Sequence, residues 1–472
     1  MRSPRVAREG TLAEFVPILV GNLVPLVGVL ALDWRPETLV TLYMLEFAFG
    51  LLLAGLKALF AAKPPREDRE DATITVTDRN LVYKQGNVEL PGPLPPVYPR
   101  NVPFVFALIG TGLWMGAFLG MPLLRAAPLV NPVADPTVLL GVIALIVGQS
   151  VDTWRDYFRD GRYEHVSPYV VVETPARQVL FLAFAFIAIP VAAVGGDGAV
   201  FGALVAAKLL FDWSAFRTQH GDGGQLSDWL SGPDAATGDS DPPHVPDSEP
   251  STVVRTHRKA AVAHALGETL IRRTPLYVPM GVVGWIVAGG LLFDGEAQGW
   301  LLAGVLMVVL IALATVARVF ESVITVDAME YRRHGTYLVA YDTRLDAVQW
   351  SAPVTTIYGS ELVTDRFADR YYGTRTFSVT MGSGDDGAER TLGPVAEPER
   401  LVGAFELPIV RTDFDPIDRR FVVAAVGGGP LVAAIMASLA VADPEWIILL
   451  LFAFPFPAYM LYGVWAQAYP DD

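Results

Sequence analysis

Asn22, Glu46, Lys208 and Asp212 are polar side chains set inside long apolar runs. Taking a charge out of water is costly, so an ionisable group in such a run marks a functional site by default. Lys208 and Asp212 lie four apart and share one helix face. Asn22 sits beside Pro25, a helix-kinking residue, at a depth comparable with Glu46. A buried cluster of these four would suit an ion or solute path, or a ligand pocket between helices. It would equally suit a structural pair of neutralised or matched charges that holds a bundle together. The inverted repeats typical of transporters leave no sign in the sequence.

Other candidates are weaker. His257, His264 and Glu268 share a face at helical spacing, which invites a metal reading, but helical histidines are usually solvated. Gly382-Ser383-Gly384-Asp385-Asp386-Gly387 fits a dinucleotide-binding pattern, yet it falls between two strands and its two carboxylates would repel phosphate. It reads as a hairpin tip. There is no phosphate-binding Walker loop, no nucleophile elbow and no H-E-x-x-H. Cysteine is absent, which removes thiol nucleophiles, disulfides and thiolate metal sites. No catalytic residue, metal or cofactor is expected.

The elements that must carry these residues are helices in lipid. The chain is 52% hydrophobic over 472 residues, too apolar for an ordinary soluble protein of this length. Hydrocarbon offers no partner to the backbone, so long apolar runs must close their own hydrogen bonds as helices. Ten such runs are present: Phe15–Leu32, Leu39–Ala62, Val102–Leu124, Thr137–Val151, Gln178–Val194, Ala199–Phe216, Leu276–Phe293, Gly299–Val319, Phe421–Val441 and Trp446–Trp465. The first reads as a retained helix, not a cleaved signal. With the N-terminus inside, 30 of the 35 basic residues fall on cytoplasmic segments and only Arg35 and Arg125 on outer loops. That asymmetry orients the chain with both termini in the cytoplasm of a multi-pass cell-membrane protein. Trp34, Trp300 and Trp446 sit at outer ends as interfacial anchors would. Gly112, Gly116 and Gly120 form a small-residue stripe in the third run, suited to close helix packing within the chain or to a homo-oligomer.

The domain boundaries follow. Residues 1–216 form a six-helix bundle and 217–251 an acidic disordered linker. Residues 252–321 hold a cytoplasmic amphipathic helix, Thr252–Arg273, and two spans; 413–472 hold the last two spans and a short tail. The helix carries Arg255, Arg258, Lys259, Arg272 and Arg273, which could lie on an anionic inner leaflet. In the first cytoplasmic segment, Thr73–Thr77 and Leu81–Tyr83 alternate like a short strand pair. Residues 322–412 form an aqueous β domain whose strands include Val323–Val326, Thr336–Tyr341, Ala347–Trp350, Thr355–Tyr358 and Thr376–Thr380, closed by a helix over 397–405 with Pro398 near its start.

Two resemblances extend this reading. Ile324-Thr325-Val326-Asp327, Met329-Glu330-Tyr331, Tyr341-Asp342 and Leu345–Trp350, followed by the terminal helix, resemble the bacterial pleckstrin-homology-like domains. That resemblance implies a small barrel plus one C-terminal helix, but the basic phosphoinositide cluster of the eukaryotic relatives is missing. Gly21–Gly28, Tyr43–Glu46, Asp160–Tyr163 and Lys208–Trp213 resemble an uncharacterised prokaryotic, often haloarchaeal, six-helix membrane family of unknown function. It implies a fold and no activity; where its members commonly carry His in the fourth span, this chain has Gln149.

The formal charge is −15 and only five basic residues are Lys, a composition suited to a halophile and unsuited to a nucleic-acid partner. The fold expected is an all-α membrane protein of about ten transmembrane helices with an inserted cytoplasmic β domain. The function expected is scaffolding or regulation through that domain, which docks a protein partner or the chain itself. The alternative is a transporter or channel using the polar cluster.

Overall fold

A helix buried in hydrocarbon or protein must satisfy its own backbone, and the long helices of this chain lie along its apolar runs. The computed structural model describes residues 36–65, 79–112, 136–173, 175–177, 243–269, 281–282, 285–286, 297–326, 328–382, 388–409, 412–442 and 455–469. They belong to two compact units: Met1–Val82 with Val88–Ser240, and Tyr83–Asn87 with Asp241–Asp472.

In the first unit, helices α1 (Pro36–Phe60), α2 (102–112) and α3 (Pro136–Asp152) occupy the second, third and fourth apolar runs. The charged stretch after α3 continues as one wide helical turn, Thr153–Arg159. Leu51, Ala54 and Ala58 of α1 pack on Phe104 and Leu108 of α2, with Tyr169 and Val172 completing the core. A Cβ on Gly112 would stand 2.4 Å from a Leu51 methyl, so this glycine marks a close approach of α2 to α1. Gly116 and Gly120 lie outside the described residues.

The last carbonyls of α1 lack partners within the helix and need caps. Asn101, wholly buried, donates from Nδ2 to Ala58 O and Ala61 O, both at 2.8 Å. The Tyr157 hydroxyl donates to Lys57 O at 2.7 Å, and the Arg100 guanidinium donates to Ala62 O while stacking on Tyr98. Burial pushes the Tyr157 phenol well above its ordinary range, so it stays a donor. Asn101→Ala strands buried carbonyls and should cost about 1–3 kcal/mol. A thermal melt reads that loss, and an unchanged midpoint would mean that water replaces the amide.

Among the described residues of the second unit, seven strands make two antiparallel sheets. The first orders β1 (Thr252–Arg255), β2 (Met329–His334), β3 (Tyr337–Asp342) and β4 (Ala347–Pro353); the second orders β5 (Ile357–Leu362), β6 (Arg375–Met381) and β7 (Ala388–Val395). Their inner faces meet in one core containing Leu338, Phe377 and Leu392, closed by Leu401 and Phe405 of a helix, Pro398–Phe405, with Pro at its start. Other helices belong to this unit as well. In chain order with the closing helix they are α4 (Arg258–Glu268), α5 (Ala297–Val326), α6 (Phe367–Tyr372), α7 (Pro398–Phe405), α8 (Arg419–Ala442) and α9 (Pro455–Ala466). Among the described residues, Met307–Thr325 and Arg419–Met436 are long and apolar enough to cross a membrane, and almost none of either is buried against protein.

Several local expectations are corrected. Val323–Val326 is not the first strand but the last turn of α5: nothing in it breaks a helix, and Thr325 Oγ1 donates back to Glu321 O at 2.9 Å. The helix stops where Ala328 takes a left-handed φ of 63°. Thr252–Arg273 is not helical from its start. Thr252–Arg255 is β1, paired with β2, because three β-branched residues meet an open sheet edge; α4 begins only after His257, whose Nδ1 accepts from Ala260 N. Leu81 and Val82 end one helical turn, Arg79–Val82, rather than a strand, and Thr73–Thr77 lies outside the described residues. The expected linker, 217–251, is held at its end: Ser251 N donates to Arg333 O at 2.8 Å, His334 Nδ1 is 2.6 Å from Ser248 O, and Ser351 Oγ donates to His244 O. Residues 217–242 lie outside the described ones.

Candidate functional site: a docking cleft beside the β sheet

Five residues of the first cytoplasmic segment, Tyr83–Asn87, are built into the second unit, although their neighbours on both sides belong to the first. The side chain that fixes them is Lys84. Its Nζ lies 2.7 Å from Asp342 Oδ2, and both side chains are 3% exposed, so this is a desolvated ion pair. The same ammonium donates to Ile324 O and, at 3.1 Å, to Thr325 O, the terminal carbonyls of α5. Burial of an ammonium demands acceptors of this kind, a carboxylate and backbone carbonyls, for its donors. A cation also suits the negative end of the α5 dipole.

Asp342 is held in place from the other side. Its Oδ1 accepts from Arg344 N at 2.8 Å and Leu345 N at 3.0 Å, so the turn after β3 aims Oδ2 at Lys84. Next to it, Gln85 N donates to Gln349 Oε1 at 2.9 Å, and Gln349 Nε2 donates to Gln85 O at 3.1 Å. This reciprocal pair imitates one rung of a β ladder. Gly86 follows at φ 95°, where an added Cβ would meet Leu345 Cβ at 2.8 Å and Ala347 Cβ at 2.9 Å. Only glycine combines that backbone with that approach.

Around the sheet, the remaining charges are mostly matched. Glu330 on β2 accepts from Arg255 Nε at 2.8 Å and Arg332 Nη2 at 2.7 Å. Burial alone would raise its pKa, but the two guanidinium hydrogen bonds outweigh it and hold the carboxyl below its ordinary value. Arg332 also stacks 3.5 Å above the Tyr341 ring. The Tyr331 phenol, fully enclosed, is pushed up to about 12 and accepts from Gly393 N at 2.9 Å.

The expected site residues fall as follows. Asn22, Lys208 and Asp212 lie outside the described residues, and Glu46 is half-buried on α1. Arg255 serves Glu330 in the sheet; Arg258 and Lys259 stand exposed on the first turn of α4; Arg272 and Arg273 lie outside the described residues. His264 and Glu268 do come together, at 3.7 Å, while His257 turns away to cap α4. Burial, then the nearby Arg366, depress the His264 pKa. Among the described residues no three His, Asp or Glu could hold a metal ion. Residues 383–387 lie outside the described ones, between β6 and β7, whose ends pair Met381 with Ala388. Sequence reasoning did not single out Lys84 and Asp342. The available signal was rarity: Lys84 is one of five lysines, flanked by Tyr83 and Gln85.

No curated protein and no solved structure matches the chain. Residues 5–226 match the model of a family of unknown function, DUF6498, so the N-terminal half is similar to an uncharacterised domain.

Proposed function

We propose that this is a multi-pass membrane protein with a scaffolding or regulatory, non-enzymatic role, in which a cytoplasmic β domain of pleckstrin-homology-like build docks the chain's own first cytoplasmic segment. The observation that carries the proposal is the buried Lys84–Asp342 pair at the end of α5. Docking of this kind links the segment between the first-unit helices to the end of a long apolar helix, so movement of either is felt by the β domain. The membrane setting is supported by the apolar side chains that α5 and α8 leave uncovered, among them Leu301, Val308, Leu313, Val423 and Leu431. A stripe of that size calls for an apolar surrounding. The one-sided distribution of basic residues supports cytoplasmic placement of the docking cleft.

The chain has no cysteine, so introduced pairs report without background. Gln85→Cys with Gln349→Cys, treated with a short bismaleimide in native vesicles, should link within one chain and shift its mobility on a denaturing gel. The acidic, lysine-poor composition calls for concentrated salt in this test, and a buried pair is little screened by it. Absence of the link in folded protein would remove self-docking. Labelling of either cysteine by an impermeant maleimide from outside intact cells would remove the cytoplasmic assignment.

A further inference from the structure

The helix α6 is short, and its outer face is aromatic. Phe367 is 54% exposed and Tyr371 72%, and their rings stack at 6.2 Å between centroids. Tyr372 joins them, 5.0 Å from Tyr371. In water such a cluster is a liability, and nothing in the core requires it: Ala368 and Asp369 on the opposite side do the packing, with Asp369 accepting from the Thr374 and Thr376 hydroxyls.

What lies beside the cluster identifies its surroundings. Phe367 meets Trp465, the next-to-last residue of α9, at 5.8 Å. α8 and α9 run antiparallel, joined at this end by Asp418 N donating to Ala468 O at 2.9 Å. Arg370 of α6 is bolted to the same end: it donates to Asp415 O at 2.8 Å and lies over the Phe414 and Tyr469 rings. Along this helix pair the side chains change character towards one end. Phe456 and Met460 are bare apolar groups on α9, Trp465 follows about 7.5 Å further along at 1.5 Å per residue, and Arg419 and Arg420 open α8 at the same level. Apolar groups giving way to tryptophan and arginine at one level is the change from acyl chains to headgroups.

We infer that the aromatic face of α6 lies in the headgroup layer of the bilayer that α8 and α9 cross, giving the β domain a second contact with the inner leaflet besides its helices. This inference rests on the membrane reading above. The occupant is lipid, because Arg419 and Arg420 open α8 at that end and phenol and indole rings are the side chains that tolerate the headgroup layer.

The test uses the full chain, labelled with a nitroxide at single introduced cysteines and reconstituted in phosphatidylglycerol vesicles. Collision with oxygen, which concentrates in lipid, is compared with collision with a water-soluble nickel chelate. Leu431→Cys on α8 reports the hydrocarbon; Arg390→Cys on β7 reports water. Arg390 pairs with Val379, four residues along β6 from the α6 end, roughly 13 Å away. Tyr371→Cys should show an oxygen-to-nickel ratio several-fold above Arg390→Cys and below Leu431→Cys. A ratio equal to that of Arg390→Cys overturns the inference while leaving the membrane reading intact. An aqueous ratio at Leu431→Cys overturns the membrane reading itself. An immobilised label shielded from both reagents means that protein, not lipid, covers α6, and also overturns it. Phe367→Cys gives the same comparison if Tyr371→Cys does not reconstitute.

Discussion

Lys84→Met is expected to destabilise the second unit by about 3–5 kcal/mol, the usual cost of removing one partner from a buried ion pair. Methionine keeps the length and most of the volume of the stem, so the loss isolates the ammonium. Asp342 would then keep a desolvated carboxylate with only Arg344 N and Leu345 N as donors, and the Ile324 and Thr325 carbonyls would lose their cap. Pairing Lys84→Met with Asp342→Asn should recover a substantial part of the loss. The amide retains an acceptor for the turn and no longer buries a charge. Thermal unfolding of the two variants in lipid nanodiscs measures both effects. A single-variant loss under about 1 kcal/mol would place the pair among solvated surface bridges and contradict its burial.

Gly86→Val should empty the docking cleft without unfolding the sheet. A β-branched residue at φ 95° is strained by roughly 1–3 kcal/mol, and its Cβ would stand 2.8–2.9 Å from the Cβ atoms of Leu345 and Ala347. Neither neighbour can swing away, because both contacts are at the first side-chain atom and Leu345 O closes the third direction at 3.0 Å. The core around Phe377 and Leu392 does not include this residue, so its melting transition should survive. The bismaleimide link between the cysteines introduced at positions 85 and 349 should be lost. Gly335→Asn is the matched control. Gly335 is also left-handed, at φ 58°, but a Cβ there meets nothing within 4 Å, so asparagine should be tolerated and the link retained. Loss of the link in both variants would mean that the sheet itself, not the cleft, had failed.

Some of this was legible from local order alone. Runs of Leu, Val, Ala and Gly long enough to satisfy their own backbone make helices, and α1, α3, α5 and α8 lie on them. Alternation and turn residues placed β3, β4 and β6, and a proline at the first position placed α7. Where the same rules erred, a neighbour distant in sequence or a missing stop signal had decided the conformation. Thr252–Arg255 pairs with β2, which lies far along the chain, and Val323–Val326 remained helical because α5 had nothing to stop it before Ala328. The strand β7 and helix α6 gave no clear periodicity: β7 begins with four exposed residues, and α6 is barely more than a turn.

Composition and pattern therefore determined which stretches shun water and which residues carry charge. The tertiary structure alone decided that Lys84 is buried, that its partner is the distant Asp342, and that a segment between first-unit helices belongs to the β unit. The physical reason is range. Hydrogen-bond closure and hydrophobic period act over a few residues and can be read along the chain, whereas the cost of burying a charge is settled only by whichever opposite charge the fold brings to it.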